Sequence, residues 1–173
     1  MTRLILTADA SAAGGLKEAG RADIVIPLEP RFVWGPLPSD AELIAMLAPR
    51  TTQKPGSHWL DYGSPASIKA IGGRDIGLIE LCQRCERVEL WMETEPNSQL
   101  VLIWLLDYLL SHAKAAATNL VLCHVDASLG WATPQELSRW RFPAVDITQD
   151  HLEIASLAWQ ATARQRHSHG STC

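Results

Sequence analysis

The sequence lacks an apolar run long enough to cross a bilayer and lacks an excess of basic residues. Its longest apolar block, from Leu100 to Leu110, is too short to span a membrane and contains Asp107. Lys and Arg number 15 against 19 Asp and Glu, which gives a net charge of −4. A nucleic-acid-binding surface needs basic side chains that displace counterions from phosphates. We therefore expect neither a membrane nor a nucleic acid among the partners.

The first residues also lack the apolar core of a signal peptide, since polar residues follow directly after Leu4–Leu6. The four cysteines are too few and too scattered to form a disulfide framework in 173 residues. Cys82 and Cys85 form a C-x-x-C pair late in a predicted helix, whereas a redox motif opens its helix. No further ligand spacing indicates zinc. These features predict a cytoplasmic protein with no metal held by its cysteines.

Short apolar runs alternate with helical patterns along the chain, which predicts a single three-layer α/β domain over residues 1–163. Near-continuous apolar strands are typical of parallel sheets that are covered on both faces. We expect a mainly parallel sheet of about four strands with helices on both faces. The predicted strands are Leu4–Leu6, Ile24–Ile26, Val88–Trp91 and Leu120–Cys123. Residues 164–173 are polar and are predicted to form a disordered tail.

The predicted helix from about Ser98 to Ala116 has no polar stripe, and a helix that is apolar all round is buried. Two explanations stay open: it lies under another layer of the same chain, or a second copy covers it in a homodimer. The seven tryptophans, against two Phe and two Tyr, are compatible with interfaces and pocket walls. Among them, Trp34 is expected in a surface loop. The segment Pro49–Gly63 reads as a long loop and a candidate lid.

Acidic residues follow three of the predicted strands. Asp9 and Ser11 come after the first strand, Glu93 and Glu95 after the third, and Asp126 after the fourth. Because the carboxyl ends of parallel strands share one edge, the carboxylates are expected to meet there. Such a group would hold a hard cation such as Mg²⁺, or raise the pKa of one carboxyl for acid–base chemistry. The ordinary alternative is that Asp9 and Glu93 only cap nearby backbone N–H groups.

Several segments resemble the bacterial family called domain of unknown function 1835. The matching segments are Ala8–Leu16, Gly35–Pro38, Val88–Glu95, Gln99–Leu100, Leu129–Trp131 and Pro134–Leu137. The resemblance implies a bacterial α/β protein with a site at Asp9, Ser11, Gly35, Pro36, Glu93, Glu95 and Gln99. The chain departs from the family pattern at three positions: Ala8 replaces a Gly, Thr94 a His and Glu95 an Asp. The family has no assigned activity, so the resemblance implies no reaction.

These observations predict that the protein binds a small polar, anionic or nucleotide-like ligand at those seven residues. No Gly-rich phosphate loop is present, and no residue can be assigned to catalysis or to a cofactor. One alternative is a metal-assisted phosphoryl-transfer or hydrolytic enzyme that uses the same carboxylates. Another is a dimeric scaffold or interaction protein.

Overall fold

The computed structural model describes residues 2–51, 54–73, 75–112 and 119–169, and it contains one five-stranded sheet. The strands lie in the order β2-β1-β3-β4-β5. Four of them pair in parallel, and only β5 runs antiparallel, against β4. The strands are β1 (Arg3–Thr7), β2 (Ile24–Pro27), β3 (Arg87–Glu93), β4 (Leu120–Val125) and β5 (Ala144–Asp146).

Seven helices are found in the described residues, together with two short 3₁₀ turns at Trp59–Tyr62 and Leu129–Trp131. The helices are α1 (Ala10–Glu18), α2 (Asp40–Leu47), α3 (Pro65–Ala70), α4 (Leu78–Arg84), α5 (Pro96–His112), α6 (Pro134–Arg139) and α7 (Gln149–His169). The mainly parallel α/β sheet predicted from the sequence is confirmed. The fifth strand was not predicted because its three residues are all exposed and form no apolar run.

The sheet has a hydrophobic core on each face. Successive side chains of a strand point to opposite faces, so Leu4 and Leu6 join one core while Ile5 joins the other. The larger core contains side chains from α2, α4, α5 and α7, and the smaller one contains side chains from α1 and α6. Helices therefore cover both faces, as the apolar strands predicted.

The apolar helix α5 is covered by α7 of the same chain. Its Leu105 is completely buried, and Trp104 lies 5.2 Å, centroid to centroid, from Phe32, which also contacts Trp159 of α7. Asp107, the one charged residue of the apolar block, accepts a hydrogen bond of 2.7 Å from Ser156 Oγ on α7. The apolar face of α5 thus needs no second copy to cover it. The predicted end of this helix at Ala116 lies outside the described residues.

Two predicted loose segments are ordered differently. Within Pro49–Gly63, the turn at Trp59–Tyr62 buries Trp59 in the larger core, so this segment is anchored rather than free as a lid. Residues 52 and 53 lie outside the described part of the chain. At the other end, α7 continues to His169, so residues 164–169 extend a helix instead of a disordered tail. Residues 170–173 lie outside the described part.

The helices and the Cys82 thiol bear on the predictions about membranes and cysteine chemistry. None of the helices in the described residues is long and apolar enough to cross a membrane. Cys82 lies near the end of α4, and burial raises the pKa of its thiol to about 12. A thiol of that kind is inert at neutral pH.

Candidate functional site

A cavity of about 310 Å³ opens at the carboxyl edge of the sheet, where β1 and β3 lie side by side. The chain leaves β1 through α1 on one face of the sheet and leaves β3 through α5 on the other. Because α1 and α5 lie on opposite faces of the sheet, the carboxyl ends of β1 and β3 form a topological switch point. Open α/β sheets bind ligands at such a point. The loops that follow β1, β2 and β3 form the walls. The topology therefore places the cavity where a ligand site is expected.

Asp9 lies in this wall and also begins α1. Its Oδ1 accepts a hydrogen bond of 2.8 Å from the Ala12 N–H, so Asp9 is the N-cap residue of this helix. Ser11 lies in the first turn, exposed, and lines the cavity. The second carboxylate oxygen of Asp9 faces Gly130, where an added Cβ would stand 3.2 Å from it. The absence of a side chain at Gly130 thus lets the turn that follows β4 pack against Asp9.

Glu93, at the end of β3, is the second carboxylate of the wall. Its Oε1 accepts a hydrogen bond of 2.6 Å from the Leu129 N–H, while its own N–H donates to Ser98 Oγ at 3.1 Å. Burial raises the pKa of the Glu93 carboxyl, and the nearby charges of Asp9 and Glu95 raise it further, against the lowering effect of the Leu129 N–H. Like charges therefore meet at this edge of the sheet without full compensation.

Glu95 caps the start of α5. Its carboxylate accepts hydrogen bonds from the Asn97 N–H, at 2.9 Å, and from the Ser98 N–H. Glu95 also lines the cavity. One side chain thus holds the helix start and adds negative charge to the wall.

The loop after β2 forms another part of the cavity wall and is firmly held. Asn97 Oδ1 accepts a hydrogen bond of 2.7 Å from the Phe32 N–H, and Asn97 Nδ2 donates to the Pro30 carbonyl at 3.0 Å. The Phe32 ring is buried between Trp104 and Trp159. Together these contacts fix the loop from both sides.

Three side chains of this fixed loop face the cavity: Glu29, Arg31 and Trp34. Neither Glu29 nor Arg31 makes a hydrogen bond or ion pair with any residue in the described part of the chain. Trp34 is 75% exposed. The loop thus presents two charged side chains that have no hydrogen-bond or ion-pair partner among the described residues, together with an exposed indole.

The cavity brings together four of the seven predicted site residues: Asp9, Ser11, Glu93 and Glu95. Gly35 and Pro36 follow Trp34 on the same loop but do not line the wall, and Gly35 is held through its carbonyl by Arg166 Nη1 at 3.3 Å.

Gln99 does not line the wall either. Its Nε2 donates to the Glu93 carbonyl at 2.6 Å and lies 3.1 Å from His124 Nε2. Gln99 therefore positions the backbone of Glu93 without lining the cavity itself.

Sequence reasoning missed Glu29, Arg31 and Asn97, and it placed Trp34 in a surface loop without a role. Glu29 and Arg31 lie in the loop just after β2, at the carboxyl edge of the sheet. Their position is thus equivalent to that of the acidic residues predicted after the first, third and fourth strands. Asp126, which was expected to join the carboxylates, is exposed and lies outside the wall. Glu29 contributes the fourth carboxylate instead.

Across the described ranges, no three His, Cys, Asp or Glu side chains are grouped closely enough to hold a metal ion. The described residues therefore do not form the four-carboxylate metal cluster with Asp126 that the sequence offered as an alternative. The acidic side chains instead line an open cavity, spread over three loops.

A comparison with models of known protein families finds no match for this chain, and neither does a search of curated proteins. The resemblance to domain of unknown function 1835 stays a prediction.

Proposed function

We propose that this protein binds a small polar ligand in the cavity between the loops that follow β1, β2 and β3. The observation that carries the proposal is a single polar cavity at the switch point that presents ionised groups with unused bonding capacity. Glu29 and Arg31 make no hydrogen bond or ion pair among the described residues, while the Glu93 carboxylate accepts from the Leu129 and Gly130 N–H groups and has the acidic neighbours Asp9 and Glu95. Arg31 is exposed and Glu29 is half-buried, so water solvates both charges, and a ligand with complementary groups can take the place of that water.

The size of the cavity limits the ligand. Ligand pockets commonly measure roughly 300–1,000 Å³, and this cavity of about 310 Å³ is at the lower end. It accommodates one small metabolite rather than a dinucleotide or a peptide. Such pockets are mostly lined by apolar side chains, whereas here Asp9, Glu29, Glu93 and Glu95 dominate. The expected ligand is therefore rich in hydrogen-bond donors.

Two residues extend the proposal to a ligand that also has an anionic group. Arg31 and the Ser11 hydroxyl both line the cavity, and Ser11 lies in the first turn of α1. The N-terminus of a helix favours negative charge, and a guanidinium binds carboxylates and phosphates in a bidentate manner. A nucleotide-like ligand is one form of this ligand, with its anionic group toward Arg31 and its hydroxyl groups toward the carboxylates.

The alternative of a metal-assisted phosphoryl-transfer or hydrolytic enzyme has less support, because the described carboxylates are spread around the wall rather than gathered at one point. The alternative of a dimeric scaffold has lost its main argument, since α7 covers the apolar face of α5. Exposed apolar side chains do remain on α7, at Ile154 and Leu157. Ligand binding is the function that the geometry supports best.

The test is a thermal-shift screen of small polar metabolites, followed by calorimetry of each hit on Asp9→Asn and Glu93→Gln variants. Both substitutions keep the shape and remove a charge, and Asn is as good an N-cap residue as Asp. We expect each variant to weaken binding of a hit about tenfold, the usual cost of a charge-assisted hydrogen bond. Asp126→Asn is the matched control, since Asp126 lies at the same edge but outside the cavity. Hits that bind both cavity variants as tightly as the wild type would contradict the proposal.

A further inference from the structure

Trp34 is exposed in a way that its own loop does not explain. Asn97 binds the backbone N–H groups of Phe32 and Val33, and Arg166 binds the Gly35 carbonyl. The indole of Trp34, between these fixed residues, is nevertheless 75% exposed in the cavity wall. An indole combines a large apolar face with an N–H donor and is usually covered. A rigid loop that presents an uncovered indole toward a cavity provides a surface for a ligand to contact.

The charge around the indole is strongly one-sided. Of the residues that line the cavity, Asp9, Glu29, Glu93 and Glu95 are acidic and only Arg31 is basic. Asp9 and Glu95 cap helices and Glu93 binds the Leu129 N–H, so all three carboxylates are fixed in place. A cleft lined by charge of one sign concentrates ligands of the opposite sign. The wall thus favours a cation.

We propose that the cavity takes an organic cation, an amine or a quaternary ammonium, held between the Trp34 indole and the carboxylates of Asp9 and Glu93. This inference rests on the proposed ligand-binding function and names the class of ligand. A cation over the face of an indole is attracted by the ring quadrupole, and Trp is the best aromatic side chain for this purpose. The same cation neutralises carboxylates that otherwise repel one another.

Two other kinds of ligand use the wall less well. An anion without a positive group would meet four carboxylates, with Arg31 as the one basic side chain of the lining and Ser11 at the start of α1 in its favour. A hydrated Mg²⁺ ion would use the carboxylates but gains little from an indole, because it keeps several of its waters. Of these three kinds of ligand, the organic cation is the one that uses the indole and the acidic side chains together. Arg31 then pairs with an acidic group elsewhere on the same ligand.

The experiment measures binding of defined probes by calorimetry and by quenching of tryptophan fluorescence. The cations are choline and agmatine, the anion is succinate, the neutral probe is glucose, and MgCl₂ represents the inorganic cation. We expect choline and agmatine to bind, and Trp34→Ala to weaken that binding about 5- to 30-fold. Trp34→Phe should keep part of the affinity, since a phenyl ring retains a weaker quadrupole, and should remove most of the quenching.

Trp131→Ala is the matched control, because Trp131 is 91% exposed at the same edge of the sheet but does not line the cavity. It should bind choline like the wild type. Both tryptophans are exposed, so both variants should melt at the wild-type temperature, and a loss of affinity then reports contact with the probe.

Three results would overturn the inference. Binding of glucose or succinate without binding of either organic cation would refute the ligand class while leaving the proposed function intact. Mg²⁺ binding that depends on Asp9 and Glu93 but not on Trp34 would assign the site to an inorganic cation. If no probe of any charge binds, both the inference and the proposed function lose their support.

Discussion

Two glutamates on the same strand, Glu89 and Glu93, are in opposite electrostatic situations. Glu89 is 4% exposed, and its carboxylate accepts hydrogen bonds of 2.8 Å from Arg3, Arg87 and the Trp91 indole. Burial alone would raise the pKa of Glu89, but these three donors hold it below the ordinary value. For Glu93, burial and the charges of Asp9 and Glu95 raise the pKa.

The difference separates a structural carboxylate from one that is available to a ligand. The donors around Glu89 come from the protein itself, so its charge is already compensated. At Glu93 the backbone N–H groups of Leu129 and Gly130 offset only part of the charge and the charged neighbours Asp9 and Glu95 are acidic, so a ligand can supply further compensation. Perturbed carboxyls of the second kind cluster at functional sites. Each of the following substitutions tests one side of this contrast.

The largest effect is expected at Glu89. Glu89→Ala leaves the buried Trp91 N–H without a partner and two arginines without their carboxylate. We expect a loss of about 2–3 kcal/mol in the free energy of unfolding, lower than for a fully buried pair because both arginines are partly exposed. Urea denaturation measures this loss.

The matched control for Glu89 is Glu80→Ala. Glu80 pairs with Arg84 on the exposed surface of α4, and such a pair contributes about 0.3–0.5 kcal/mol. If both variants lose the same stability, the structural role of Glu89 is refuted.

A smaller effect is expected at Asp9, where two substitutions separate the cap from the charge. Asp9→Ala removes the acceptor for the Ala12 N–H and should cost about 1 kcal/mol. Asp9→Asn keeps an acceptor and should be neutral in stability while it weakens ligand binding. Chemical denaturation of the two variants in parallel makes the comparison, and equal losses would show that the carboxylate charge itself stabilises the fold.

The smallest effect is expected at Glu93, and it has the opposite sign. Because folding raises the pKa of Glu93, its ionised form is disfavoured in the folded state. Glu93→Gln should therefore leave the melting temperature at pH 7 unchanged or slightly higher. The gain should shrink as pH falls through the raised folded pKa and should vanish below the unfolded pKa, where the wild-type carboxyl is protonated in both states. Melting curves from pH 4 to 8 test this, and a clear loss at pH 7 would place Glu93 with Glu89 as a structural residue.

The pH dependence of Glu89 has the reverse sign. Folding lowers its pKa, so its contribution is present above the unfolded pKa and is lost as pH falls through the lower folded value. The Glu89→Ala variant and the wild type should therefore converge in stability in acid. A stability gap that stays constant down to low pH would indicate that packing, not charge, sets the cost.

The parallel strands and the helix starts were predictable because they depend on local signals. Val88–Trp91 is apolar enough to predict a strand covered on both faces, and Ser39 and Thr133, each followed three residues later by a Glu, both form capping boxes. Strand β5 was missed because Ala144–Asp146 has no such signal and forms a strand only through its pairing with β4. The sequence does not explain Asp107 on an apolar helix, because its hydrogen-bond partner, Ser156, lies on a different helix.

At the site, the sequence by itself determined that Asp9, Ser11, Glu93 and Glu95 lie at one edge of the sheet, because each follows a parallel strand and the ends of such strands share an edge. That they meet in one cavity depends on the strand order, which puts β1 beside β3. The tertiary structure decided the rest. Strand order places β2 beside β1, and the contacts of Asn97 and Phe32 turn the loop after β2 so that Glu29, Arg31 and Trp34 close the cavity. Those contacts join residues more than 60 positions apart, and no local pattern encodes a pairing of that range because it depends on how whole elements pack.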